Sequence, residues 1–131
     1  MVKFAIVGSS KAKETTNVMK TLHNIIGQFN PKHDIFVSGG AKGIDSIAED
    51  IATRLGFKTE ICYPAYEGWE AYKVRNMTIS NISQYLYCVV LKGNDEFCYH
   101  CKSGTHNRSG GCWTYEYARR INHASVFRLE V

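Results

Sequence analysis

Short apolar runs and amphipathic stretches alternate along the whole chain. Continuous apolar, β-branched runs predict strands buried on both faces, and apolar residues three or four positions apart predict helices that cover a sheet. The predicted strands are 3–7, 34–38, 58–63, 85–91 and 124–129, and the predicted helices are about 13–29, 44–55, 72–83 and 112–122. This alternation predicts an α/β fold, a Rossmann-like three-layer sandwich of about five mostly parallel strands with helices on both faces.

The 131 residues are predicted to form a single domain, 1–131, with its own hydrophobic core. One segment breaks the alternation: residues at about 93–112 are polar and rich in Cys and His, and we interpret them as a loop insertion before the last helix. The apolar run at the N-terminus is too short for a signal peptide, and no stretch reaches the length of a membrane span. We therefore expect a cytoplasmic protein without a membrane partner, whose cysteines are thiols or metal ligands.

Three glycine-containing turns lie where strands end or helices begin: 8–10 (GSS), 38–43 (SGGAKG) and 109–111 (SGG). In open parallel sheets, ligands bind beyond the carboxyl ends of the strands. Glycine lets a phosphate approach the backbone, and the N–H groups of a helix N-terminus attract an anion. The turns therefore predict a phosphate-binding site, with which the formal net charge of +4 is compatible.

The same residues resemble the motifs of a known superfamily. Residues 37–45 (VSGGAKGID) resemble the SGGAxGID segment of the DprA/Smf DNA-processing proteins, and 75–80 (RNMTIS) resemble their RNxxIS segment. The turns at 7–9 and 109–111, the latter followed by Thr114, are similar to two further glycine turns of these proteins. The chain thus resembles the SLOG superfamily, which includes DprA, the LOG nucleoside-monophosphate hydrolases and small YspA-like phage or bacterial domains.

The resemblance implies a Rossmann-like sheet and a site that contacts the phosphate and sugar of a nucleotide. Gly39, Gly40 and Gly43 would form a phosphate loop, Asp45 would cap the second helix or orient that loop, and Arg75 would contact phosphate or base. The ligand-binding residues implied together by the turns and the resemblance are Gly8, Ser9, Ser10, Gly39, Gly40, Ala41, Gly43, Asp45, Arg75, Asn76, Ser109, Gly110, Gly111 and Thr114.

The sequence is compatible with three functions. The leading hypothesis is binding of a nucleotide or nucleotide-derived ligand, and the resemblance also implies a homodimer. The second is DprA-like binding of single-stranded nucleic acid, with Tyr66, Trp69 and Tyr99 stacking on bases. The third is LOG-like hydrolysis of a nucleotide N-glycosidic bond by Glu116 and Arg75. It ranks third because residues 110–116 (GGCWTYE) lack the proline and second glycine of the LOG motif PGGxGTxxE, and the glutamate comes one residue early.

The cysteines and histidines of the insertion have the spacing C-x2-C-x4-H-x5-C, one residue longer than a zinc knuckle. Two thiolates, an imidazole and a third thiolate satisfy tetrahedral Zn2+, so we predict a structural zinc that fixes the loop to the last helix. The predicted ligands are Cys98, Cys101, His106 and Cys112, with His100 as an alternative to His106. A rival hypothesis makes Cys112 a nucleophile of lowered pKa at a helix N-terminus.

Overall fold

The structure is a computed structural model that describes residues 1–93, Cys98, 109–121 and 125–131. Its strands are β1 (Lys3–Gly8), β2 (Ile35–Ser38), β3 (Lys58–Ile61), β4 (Tyr85–Val90) and β5 (Val126–Glu130). Its helices are α1 (Thr16–Ile26), α2 (Ile44–Arg54), α3 (Trp69–Ile82) and α4 (Gly110–Arg120). The five strands are all parallel, so the predicted α/β, Rossmann-like arrangement is confirmed.

The strand order of the sheet is β3-β2-β1-β4-β5. β1 is central, and Ala5 lies opposite Val37 of β2 on one side and Leu86 of β4 on the other. The chain runs outward from β1 to β3 and then returns to β4 on the other side of β1. The strand order therefore reverses between β1 and β4, and ligands in open α/β sheets commonly bind near such a reversal at the carboxyl edge.

Alternate residues of the central strands enter two separate cores. Phe4 and Ile6 are fully buried against α1 and α2, whereas Ala5 and Val7 are buried on the face that α3 and α4 cover. Burial of each large apolar side chain contributes about 1.5–3 kcal/mol, so both faces stabilise the sheet. Among the described residues, no helix combines the length and the apolar character that crossing a bilayer requires.

Two helices begin where a hydroxyl group satisfies their first N–H groups. The Thr15 hydroxyl accepts a hydrogen bond from Val18 N at 3.3 Å, so α1 starts later than the predicted residue 13. The Ser109 hydroxyl accepts one from Gly111 N at 3.1 Å, so α4 starts two residues before the predicted 112. An N-cap fixes the residue at which a helix begins. The cap at Ser109 therefore places Gly110 and Gly111 inside α4 instead of before it.

Candidate functional site

One cavity of about 590 Å3 opens at the carboxyl ends of β1 and β2, between the loops that precede α2 and α4. This volume is within the range of about 300–1,000 Å3 that is usual for small-molecule sites. The lining residues are Val7, Gly8, Ser10, Gly39, Gly40, Ala41, Lys42, Asp45, Tyr63, Pro64, Trp69, Tyr72, Arg75, Asn76, Gly110, Gly111 and Thr114. All three glycine-containing turns of the sequence therefore contribute to the same cavity.

Three of the predicted ligand-binding residues shape this cavity without lining it. Ser9 is buried: its carbonyl accepts from Ile44 N at 3.1 Å and its hydroxyl accepts from Leu91 N at 3.2 Å. Gly43 has a φ of +78°, and a Cβ there would collide with the Ser9 carbonyl oxygen. Ser109 caps α4. These residues fasten the loops to one another, so their contribution to any ligand is indirect.

A second close approach joins the end of β1 to the start of α4. A Cβ on Gly111 would lie 2.8 Å from the Cα and N atoms of Gly8, and a Cβ on Gly8 would collide with the Val89 carbonyl oxygen. Backbone atoms cannot move aside as a flexible side chain can. Glycine at these two positions is therefore required for packing the protein itself, whether or not a phosphate binds nearby.

Asp45 organises the loop before α2 from within. Asp45 is 6% exposed, and the backbone N–H groups of Ala41, Gly39 and Gly8 lie near enough to lower the pKa of its carboxyl group. Of the two predicted roles of Asp45, capping α2 is wrong, because the N-cap of α2 is Gly43, which has no side chain to accept a bond. Asp45 is the second residue of the helix, and its buried carboxyl group faces Gly39 and Arg75.

Further N–H groups of the glycine turns are also used within the protein. Gly40 N donates to the Ser38 hydroxyl at 3.1 Å, and Gly111 N donates to the Ser109 hydroxyl at 3.1 Å. These two bonds occupy two of the N–H groups that the sequence assigned to a phosphate. An anion in this cavity would therefore depend on side-chain cations and hydroxyl groups as well as on the remaining glycine amides.

Burial raises the pKa of Asp45 from 3.8 to about 7, although the nearby Arg75 guanidinium and the backbone donors act in the opposite direction. Removing a carboxylate from water disfavours its charged form, and here the hydrogen bonds compensate only in part. At neutral pH the protonated and ionised forms of Asp45 therefore coexist. The carboxyl group repels a bound anion less than a fully ionised aspartate would.

Arg75 projects from α3 and is held on the cavity wall. Its Nη1 donates to the Gly39 carbonyl at 2.6 Å, and its Nε donates to Asn76 Oδ1 at 2.8 Å. The guanidinium carbon also lies 5.5 Å from the ring centre of Tyr72, a cation–π distance. An anion in the cavity would thus meet a cation whose position is already fixed, which lowers the entropy cost of binding.

Aromatic rings form part of the cavity wall, and the Tyr63 ring lies beside Gly40 of the second glycine turn. Tyr63 is 74% exposed, Trp69 is 41% exposed, and Tyr72 lies one helical turn from Arg75. The sequence analysis proposed Trp69 for stacking but missed Lys42, Tyr63, Pro64 and Tyr72. Tyr63 and Pro64 could have been found, because they follow the third strand at the same carboxyl edge as the glycine turns.

The structure does not place Glu116 in this cavity. Glu116 lies on α4, accepts a hydrogen bond from Arg119 Nη1 at 3.3 Å, and is not among the residues that line the cavity. In the described part of the chain, the acidic residue beside Arg75 in the cavity is Asp45. The pair of Glu116 and Arg75, on which the hydrolase hypothesis depends, is therefore not brought together.

Two of the four predicted zinc ligands are in the core. Cys98 and Cys112 are fully buried and pack with Cys88 of β4, between the sheet and α4. The pKa of the Cys112 thiol is raised well above its usual value, first by its hydrogen bond to Cys88 and then by burial. Burial and a raised pKa are the opposite of the exposed, low-pKa thiol that the nucleophile hypothesis requires, so the structure gives that hypothesis no support.

The other predicted ligands, Cys101 and His106, and the alternative ligand His100 lie outside the described residues, as does Tyr99. Within 1–93, Cys98, 109–121 and 125–131, no group of three or more His, Cys, Asp or Glu side chains is placed to hold a metal ion. The zinc site accordingly stays a prediction.

Comparison with known proteins gives no relative: no family model matches the chain, and neither the curated proteins nor the solved structures contain a match.

Proposed function

We propose that this cavity binds a nucleotide or a nucleotide-derived ligand, as the SLOG-like motifs of the sequence also suggest. The observation that carries the proposal is the combination of a fixed cation and exposed aromatic rings in one cavity at the carboxyl ends of β1 and β2. Phosphate needs cations or N–H donors, whereas a base needs flat apolar surfaces, and few other metabolites need both.

Both chemistries are represented in the wall of the cavity. Lys42, Arg75 and the Ser10 hydroxyl can contact a phosphate near the start of α2, where the helix dipole adds a positive potential. Trp69 and Tyr63, whose ring lies beside Gly40, can contact a base. In this arrangement the glycine turns provide the shape of the cavity, and the side chains provide most of the recognition.

The test is isothermal titration of the four common nucleoside monophosphates into the purified protein. We expect at least one to saturate, and we expect Lys42→Glu to weaken it about tenfold or more, the usual effect of losing a hydrogen bond to a charged group. Lys32→Glu is the matched control, because Lys32 is an equally exposed lysine that does not line the cavity. Absence of binding across the panel, or equal weakening by both variants, would reject the proposal.

We also propose that the insertion holds one structural zinc. The supporting observation is that the structure buries Cys98 and Cys112 side by side although they are far apart in the sequence. Native mass spectrometry should show the mass of one zinc on the parent protein. Cys98→Ser should lose this zinc. Cys62→Ser, at a half-buried cysteine outside the predicted ligand set, should retain it. A metal-free mass for the parent protein would mean that Cys98 and Cys112 serve only as core residues.

A further inference from the structure

A second cavity of about 300 Å3 adjoins the first. Three residues line both cavities: Tyr63, Pro64 and Arg75. The second cavity lies between the segment that follows β3 and the outer face of α3. These three residues therefore form the border between the two cavities, and the Arg75 guanidinium belongs to that border.

The second cavity is mainly apolar. Cys62, Ala65, Tyr66, Ala71 and Val74 form most of its remaining wall, and the Thr78 hydroxyl is used within α3, where it donates to the Val74 carbonyl at 3.2 Å. Such a wall offers surface to a flat ring and little to a phosphate or a sugar.

Exposed apolar side chains are concentrated around this pair of cavities. Of the eight large hydrophobic residues that are exposed in the described part of the chain, four border the two cavities: Tyr63, Tyr66, Trp69 and Val74. Tyr66 and Val74 are 61% and 60% exposed. Contiguous exposed apolar surface of this kind usually marks a binding site.

We infer that the ligand is a free dinucleotide, with one nucleoside in the larger cavity, its linking phosphates at Arg75, and its second base in the smaller cavity. This inference rests on the proposed function and adds the size and the two-ended character of the ligand. Arg75 is suited to the linking position because it lines both cavities and its guanidinium is already oriented by Gly39 and Asn76.

The charges around the second cavity favour a free dinucleotide over a longer strand. Glu67 and Glu70 lie in the segment that borders it, and Lys73 is engaged with Glu70 at 3.3 Å. Among the described residues, no lysine or arginine other than Arg75 lines the second cavity. A nucleic-acid strand continuing beyond it would lack the cations that follow a phosphate backbone.

The experiment compares two probes that differ in the second base. Diadenosine diphosphate has two adenosines joined through one pyrophosphate, and ADP-ribose has the same adenosine and pyrophosphate but ends in a sugar. We expect diadenosine diphosphate to bind about tenfold more tightly, the typical effect of stacking one base. Tyr66→Ala and Val74→Ala should each lower this ratio and change the affinity for ADP-ribose much less, and Leu55→Ala, at an exposed apolar residue outside both cavities, should change neither.

Each other outcome overturns a specific statement. Equal affinity for the two probes, or no binding of either by a protein that binds a mononucleotide, overturns the dinucleotide and leaves the proposed function intact. An oligonucleotide that binds more tightly than diadenosine diphosphate, with a steep loss of affinity at high salt, overturns the free dinucleotide in favour of a strand. Absence of binding across the mononucleotide panel rejects the proposed function itself.

Discussion

The pH dependence of stability should reveal the protonation of Asp45. Its pKa of about 7 in the folded protein compares with 3.8 when it is exposed, a difference that corresponds to about 4 kcal/mol of unfolding free energy. Between these two values the folded protein retains a proton that the unfolded chain has lost. The contribution of Asp45 to the unfolding free energy therefore falls as the pH rises, by up to about 1.4 kcal/mol per pH unit, and is constant above the folded pKa.

Asp45→Asn removes this titration and keeps a neutral side chain of the same shape. Urea unfolding of both proteins from pH 5 to pH 8, followed by tryptophan fluorescence, gives the difference between their unfolding free energies at each pH. We expect that difference to shift by about 2–3 kcal/mol in favour of the asparagine variant over this range. Contributions that the two proteins share cancel in the difference.

Asp34→Asn is the control, because the pKa of Asp34 is lowered in the folded protein whereas that of Asp45 is raised. The N–H groups of Asn30 and Val2 lower the pKa of Asp34, so it stays ionised in both folded and unfolded chains above pH 5. Its substitution should give a difference that is flat from pH 5 to pH 8. If the Asp45 difference is also flat, then Asp45 is ionised throughout, and its hydrogen bonds outweigh the effect of burial. The cavity would in that case carry a full negative charge beside Arg75.

Three further predictions concern the glycine turns, and urea unfolding measures them all. Gly43→Ala should lower the free energy of unfolding by about 1–3 kcal/mol more than Gly56→Ala does. Both glycines have a positive φ, but only a Cβ on Gly43 would meet backbone atoms. Equal losses in the two variants would contradict the collision with Ser9. Gly111→Ala should cost about 1–3 kcal/mol and Gly110→Ala little, since only Gly111 touches Gly8; similar values would show that β1 and α4 can separate. Ser109→Ala should cost about 1 kcal/mol through the lost cap, and an unchanged midpoint would mean that water replaces the hydroxyl.

The fold could be predicted from the sequence because its determinants are local and repeated. A continuous apolar strand such as 85–90 has to be covered on both faces, and strands that alternate with amphipathic helices have to run parallel. The position of the cavity followed for the same reason, since the carboxyl ends of parallel strands meet at one edge. Helix ends were less accurate, because single hydroxyl caps at Thr15 and Ser109 decided them.

Which groups lie next to one another in the cavity was decided by the tertiary structure alone. Asp45 and Gly8 are remote in sequence, and the packing of β1 beside β2 brings both to the wall of one cavity. Cys98 lies in a polar stretch that the sequence predicts to be a loop insertion, yet it is buried in one cluster with Cys112. A local sequence pattern indicates which segments pack against another layer. Individual hydrogen bonds and the burial of single side chains depend on groups that the chain brings together from a distance. The sequence by itself therefore determined at which edge of the sheet the cavity would form, and the folded chain decided which groups line it.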